Sequence, residues 1–156
     1  MSLIVKSIIC VAIVMILGFA SGFSTANAIT DWYSTLNKPF FSPPNWVFGP
    51  AWTILYILIG LSIARIWHSG TDHSTQKSII MVFIVQMILN LLWSPVFFSM
   101  KQPEIAIVII IALWFMIITY IRKSKEIDKV ASFLFLPYLA WVSFATMLNA
   151  GIIYLN

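Results

Sequence analysis

The sequence predicts an all-α integral membrane protein, a single bundle of five transmembrane helices over residues 1–156, and three observations carry that expectation. The chain is 61% hydrophobic and only 9% charged, against about 25% charged residues in an ordinary globular domain. Nine Lys/Arg and five Asp/Glu cannot wet the shell of a soluble monomer of this size. The apolar runs are continuous rather than alternating, which favours helices over barrel strands. Five spans of about 20 residues each take up about 100 positions, so connecting loops fill most of the rest. No separate soluble catalytic domain fits.

The first run covers residues 8–28. Lys6, the apolar stretch and Ala26-Asn27-Ala28 also imitate a signal peptide with a small-residue cleavage site. We read the run as a helix that is kept. Gly18 and Gly22, four apart within it, permit close helix packing, inside one chain or across a dimer, and the intrachain reading is preferred. The second run, about 51–67, is opened by Pro50 at a first-turn position. The third covers 79–98, with Pro95 near its end, and a fourth follows Pro103 over about 104–120. The last covers 130–155.

With five spans, the N-terminus and the second and fourth loops share one face. That face holds Lys6, Arg65, Lys77, Arg122, Lys123, Lys125 and Lys129, and the other has only Lys38 and Lys101. An excess of Lys and Arg marks the cytoplasmic side. The expectation is a bacterial plasma-membrane protein with a cytoplasmic N-terminus and the first loop and C-terminus outside. The net charge of +4 is an orientation signal rather than nucleic-acid affinity, because the basic residues are scattered among apolar runs.

Charge is missing where ion-coupled transport needs it. All five acids, Asp31, Asp72, Glu104, Glu126 and Asp128, fall in loops or at helix ends, and no Lys or Arg approaches a midplane. Ionisable groups at depth are functional by default in pumps and voltage sensors, so a proton-driven exporter is disfavoured. His68 and His73 lie in the second loop, which leaves a haem iron inside the bundle without a histidine ligand. The single cysteine, Cys10, excludes an intramolecular disulfide and a cysteine-based metal cluster, and no metal site is expected. No Ser-His-Asp, Cys-His or paired-carboxylate constellation exists. The uncharged polar residues say more. Gln86 and Asn90 are four apart, Trp93 and Phe97 continue the same helical stripe, and Asn149 lies eight residues after Trp141. Each amide reads either as interhelical glue or as a ligand contact.

The first loop is the unusual part. Residues 29–49 read ITDWYSTLNKPFFSPPNWVFG, placing Trp32, Tyr33, Phe40, Phe41, Trp46 and Phe48 among Pro39, Pro43 and Pro44. Linkers are polar, and prolines impose a stiff, extended or turned path. One reading is an aromatic belt at the headgroups. Belts usually place single aromatics at helix ends, so a lid over a cavity is the preferred reading.

Three blocks of residues make the chain recognisable. The first is Trp32-Tyr33-x-x-Leu36-x-Lys38-Pro39-x-x-x-Pro43-Pro44-x-Trp46-x-Phe48-x-Pro50-x-Trp52-Thr53-x-Leu55-Tyr56. The second is Gln86-x-x-x-Asn90-x-x-Trp93-x-Pro95-x-Phe97-Phe98, and the third is Pro137-Tyr138-Leu139-Ala140-Trp141-x-x-Phe144-Ala145-x-x-Leu148-Asn149. In these blocks the sequence resembles the translocator protein / tryptophan-rich sensory protein (TspO/MBR) family, once called peripheral-type benzodiazepine receptors. The resemblance implies a five-helix bundle, commonly a homodimer, that binds porphyrins, particularly protoporphyrin IX, and isoquinoline carboxamides. It implies a pocket lined by the second and fifth helices and capped by the first loop. By position, Trp52 and Trp141 resemble the tryptophan pair associated with porphyrin binding and its light-dependent breakdown in bacterial members. Tyr33, Tyr56, Asn90, Trp93 and Ala145 fall at other pocket positions. Animal members end with a cholesterol-recognition segment, whereas here Tyr154 is followed only by Leu155 and Asn156, with no basic residue.

The residues and the resemblance agree on the ligand's character. A planar, mostly apolar macrocycle wants an aromatic slot with a few polar groups to orient it. Porphyrin propionates should stay near the interface, where Lys38 is the nearest candidate cation; snorkelling at the interface is its other reading. A metal-free porphyrin is easier to accommodate than a haem held by its iron. The expected function is tetrapyrrole binding with light- and oxygen-dependent degradation at Trp52 and Trp141, without a covalently bound cofactor. A carrier or sensor without chemistry, and a scaffold whose aromatic loop docks a membrane partner, are the alternatives.

Overall fold

The computed structural model describes residues 1–23 and 25–156. Among them every regular element is a helix, without strands, and five segments are long and apolar enough to cross a bilayer. The first helix, α1, spans Leu3–Phe23. It starts and stops earlier than the apolar run of 8–28, whose residue 24 lies outside the described residues. At its end the Thr25 amide and hydroxyl both donate to the Gly22 carbonyl, at 3.1 and 2.8 Å, closing the helix before the run is exhausted. The chain restarts as the short helices α2 (Ala26–Thr30) and α3 (Trp32–Thr35).

A 3-10 turn at Asn45–Val47 leads into α4, Phe48–His68, with Pro50 in its first turn, where a missing N–H costs nothing. Asp72 accepts from the Thr75 amide and caps α5, His73–Ser94. A π-helical turn, Pro95–Ser99, prolongs this span, and α6 follows over Pro103–Lys125. α4, α5 and α6 all outrun their apolar cores at the basic end. Long Lys and Arg stems continue a helix into the headgroup zone while their charges stay wet. The last run is two helices, α7 (Lys129–Leu134) and α8 (Leu136–Leu155). Pro137 has no N–H to donate to the turn before it, so the helix breaks at Phe135.

Around the bundle the spans run α1, α4, α7 with α8, α6, α5 and back to α1, with the most extensive packing between α1 and α4 and between α5 and α6. Apolar burial does not drive helices together in lipid, so close approach and polar pins must hold them. Gly60 of α4 lies against the backbone of Val11, where an added Cβ would stand 2.5 Å from the Val11 Cα. Gly18 of α1 seats the Tyr56 ring in the same way, so its smallness serves packing within the chain.

The basic end is pinned by polar contacts. The Ser62 hydroxyl pairs with Tyr120 Oη at 2.9 Å and donates to the Ala131 carbonyl at 2.7 Å, all fully buried. Tyr120 stacks on Phe135 at 4.0 Å between ring centroids. Nearby, Arg65 Nε donates to Asp128 Oδ2 at 2.9 Å, while Asp128 Oδ1 accepts from the Ala131 amide and caps α7. Partial burial alone would push the Asp128 carboxyl up; Arg65 and the Ala131 and Val130 amides more than offset it and hold the group below its usual range. A carboxyl lowered on folding adds stability above its unfolded value, and that stability is lost as pH falls through the lower, folded value. Thermal stability in detergent should therefore be insensitive to this pair from neutrality down to about pH 4 and fall below that. Asp128→Asn should remove that acid-dependent fall and lower stability at pH 7.

Candidate functional site

At the less basic end the helices enclose a half-open cavity of about 600 Å³. This lies within the range of about 300–1,000 Å³ typical of small-molecule sites. Four spans contribute walls. α4 presents Phe48, Trp52 and Tyr56, two successive helical steps of four on one face. α8 presents Trp141, Phe144, Ala145 and Leu148 by the same periodicity, and α5 presents Asn90, Trp93 and Ser94. The fourth wall is the last turn and a half of α1, from Gly18 to Phe23.

The rings brace one another. Trp52 stacks on Tyr56 at 5.3 Å and meets Trp141 edge-on at 6.4 Å, with Phe48 against Trp141 at 6.1 Å. Trp52 also meets Tyr138 edge-on at 6.3 Å, and Trp93 stacks on Phe97 at 5.3 Å. Behind these rings runs a buried polar chain. Asn90 Nδ2 donates to Tyr138 Oη at 2.7 Å, and Tyr138 Oη donates to Gln86 Oε1 at 2.9 Å. Gln86 Nε2 is buried without a partner among the described residues. Trp93 Nε1 donates to Asn149 Oδ1 at 3.2 Å, and Asn149 Nδ2 donates to the Pro103 carbonyl at 2.9 Å. Gln86 and Asn149 are thus interhelical ties, while Asn90 is both a tie and a wall.

Of the site residues expected from sequence, Trp52, Tyr56, Asn90, Trp93, Trp141 and Ala145 come together around this cavity. Tyr33 and Lys38 stand outside its described walls. Tyr33 is 1% exposed and packs on Phe97 and Phe98 at 6.3 and 5.4 Å, and burial pushes its hydroxyl pKa up. The Lys38 ammonium sits 4.9 Å from the Tyr33 ring centroid and donates to the Ser34 and Leu36 carbonyls. The six loop aromatics divide. Phe48 lines the cavity, and Phe41 touches the wall residue Phe144 at 6.1 Å. Trp32 meets Phe97 at 5.8 Å, while Phe40 and Trp46 point outward, 99% and 74% exposed. The loop is moored to α8 through Pro39 against Gly151 and through a two-bond clasp between Asn37 and Asn156.

Sequence reasoning missed the α1 wall. Its signal was the small residues Gly18, Ala20, Ser21 and Gly22 around Phe19, whose ring meets Tyr56 edge-on at 6.2 Å. No described wall residue carries a charge or an imidazole. The arrangement suits a flat aromatic ligand held by ring faces and edges.

Fold and cavity together define a polytopic membrane protein with an internal aromatic slot. The chain belongs to the TspO/MBR family, whose profile it matches over residues 10–155. It is 42% identical to a tryptophan-rich protein TspO of Archaeoglobus fulgidus, covering 98% of both chains. It is 38% identical to a tryptophan-rich protein TspO of Chlorobaculum tepidum, over 95% of this chain and 94% of that one. A tryptophan-rich sensory protein of Cereibacter sphaeroides is 37% identical, over 81% of this chain and 77% of its own.

Replacing Tyr138 by Phe leaves the Gln86 and Asn90 amides buried and unpaired, which should cost about 1–2 kcal/mol. Thermal unfolding in detergent should show the loss, whereas Tyr154→Phe, at an 88% exposed position, should leave the transition in place.

Proposed function

We propose that this protein binds protoporphyrin IX, or a closely related flat tetrapyrrole, in the aromatic cavity and promotes its light- and oxygen-dependent degradation. The observation that carries the reading is the convergence of three indoles, Trp52, Trp93 and Trp141, on one cavity with no charged wall. Planar macrocycles gain contact area from indole faces, and a metal-free ring needs no axial ligand. Isoquinoline carboxamides, flat and apolar, suit the same walls. The porphyrin supplies light absorption when bound, and dioxygen is the oxidant. The chain's part is to hold the macrocycle beside the Trp52 and Trp141 indoles. Those two rings lie edge to face at 6.4 Å, so one ligand can touch both. Asn90 offers an orienting amide fixed from behind by Tyr138. Lys38 and the rest of the first loop lie toward the interface, where propionates remain hydrated, and the loop acts as a lid.

Bleaching under illumination tests the chemistry. Trp52→Phe/Trp141→Phe should bleach protoporphyrin IX no faster than a protein-free control, while the parent chain bleaches it faster. Equal bleaching by parent and double variant would remove the indoles from the mechanism. Flux of porphyrin across proteoliposomes in the dark, without a coloured product in light, would make the protein a carrier instead.

The division of basic residues, seven at one end and two at the other, supports a cytoplasmic N-terminus in a bacterial plasma membrane. Assembly as a homodimer is carried over from the family resemblance. A reporter fused after Asn156 should read as external; a cytoplasmic reading would reverse the orientation.

A further inference from the structure

Away from the aromatic cavity, the basic end of the bundle carries an open groove of about 400 Å³ along α5, lined by Ser74, Lys77, Ser78, Met81 and Val82. Steps of three and four residues place these side chains on one helical stripe. The chemistry of the stripe changes along its length. Ser74, Lys77 and Ser78 precede the apolar run that opens at Ile79, whereas Met81 and Val82 lie inside it. At 1.5 Å per residue the stripe covers about 12 Å of helix axis, passing from headgroup chemistry to hydrocarbon chemistry. Beyond it Val85 and Ile88 continue the row of Lys77 and Met81, and Met81, Val85 and Ile88 are all exposed.

A second cation reaches the stripe from the neighbouring helix. Lys123, in the last turn of α6, donates through Nζ to Ser78 Oγ at 3.0 Å. That bond uses one of three ammonium donors and holds the charge beside the groove. Among the described residues the one ion pair joins Arg65 to Asp128, so no acid neutralises Lys77 or Lys123. Asp72, the acid closest to the stripe in sequence, accepts from the Thr75 amide as the cap of α5.

We propose that this stripe is a binding site for one anionic phospholipid. Lys77 and Lys123 take the phosphate, and the Ser74 and Ser78 hydroxyls donate to its oxygens. Ser78 Oγ accepts from Lys123, which leaves its own proton for the ligand. One acyl chain lies down Met81, Val82 and Val85. A free phosphate would leave this apolar half of the stripe unused, and a zwitterionic lipid would bring its own cation to the two ammonium groups. No residue lines both this groove and the aromatic cavity, so the site is independent of the porphyrin reading.

The experiment titrates the full-length protein in detergent with dioleoylphosphatidylglycerol or dioleoylphosphatidylcholine, and native mass spectrometry counts the retained lipid. Lys77→Gln/Lys123→Gln is compared with Arg122→Gln/Lys125→Gln, a control of equal charge loss at the same end but outside the groove walls. The parent should hold one phosphatidylglycerol about tenfold more tightly than phosphatidylcholine. The first variant should lose that preference, and the control should keep it to within about twofold. Equal retention of the two lipids by the parent would overturn the assignment. So would equal losses in both variants, which would reduce the effect to diffuse surface charge. Displacement of the lipid by millimolar inorganic phosphate would make this a free-anion site and overturn the lipid assignment. All four substituted side chains are exposed, so each variant should melt with the parent. Should the double variant still fail to fold, Lys77→Gln alone must weaken phosphatidylglycerol by about threefold, and no change there would overturn the proposal.

Discussion

The Tyr138 hydroxyl is fully buried on α8 and held on both sides by amides of α5, accepting from Asn90 and donating to Gln86. Lipid offers no hydrogen bonds, so buried groups in the bundle must satisfy one another or stay unpaired. The constraint ties α5 to α8 and fixes the ring orientation of Tyr138. That ring is the surface against which Trp52 of α4 stands edge-on, and Trp52 in turn orients Tyr56 and Trp141. Remove the hydroxyl and the floor of the cavity has no reason to keep its shape. An open cavity in a lipid-facing bundle needs such bracing, because lipid tails do not press helices together as water does around a soluble core.

The two ends of the bundle are held by different means. At the basic end, Ser62, Tyr120, Arg65 and Asp128 join α4, α6 and the start of α7 through side-chain hydrogen bonds and one ion pair. At the other end, packed rings add to the Asn149 and Asn37–Asn156 ties. Tyr33, Phe97, Phe98 and Leu148 form a second core beneath the first loop, separate from the long core of the bundle. The cavity lies at this second end, and its walls are accordingly aromatic.

Continuous apolar runs made the five spans legible, four-residue spacing put Gln86, Asn90, Trp93 and Phe97 on one stripe, and the family resemblance alone pointed to Trp52, Tyr56, Trp141 and Ala145. The breaks were harder to read. Thr25 ends α1 by a local hydrogen bond inside an apolar run, and Phe135 is a joint only because Pro137 follows it. Neither changes hydropathy enough to show. The packing of Tyr33 on Phe97 and Phe98, with the Lys38 ammonium over its ring, depends on how α3 docks, which no periodicity encodes. The α1 wall was invisible for another reason: a helix that is apolar all round does not show which face meets a cavity until its neighbours are known.

The π-helical turn at Pro95–Ser99 has a consequence for how the first loop is seated. In an α-helix consecutive residues point about 100° apart, so two neighbouring rings rarely share one direction. The wider turn lets Phe97 and Phe98 both sink inward, 2% and 7% exposed, with their centroids 4.7 Å apart. Tyr33 rests on this doubled ring. A single-residue deletion there would rephase the pair and take away the loop's seat, although every residue of the loop itself remained unchanged.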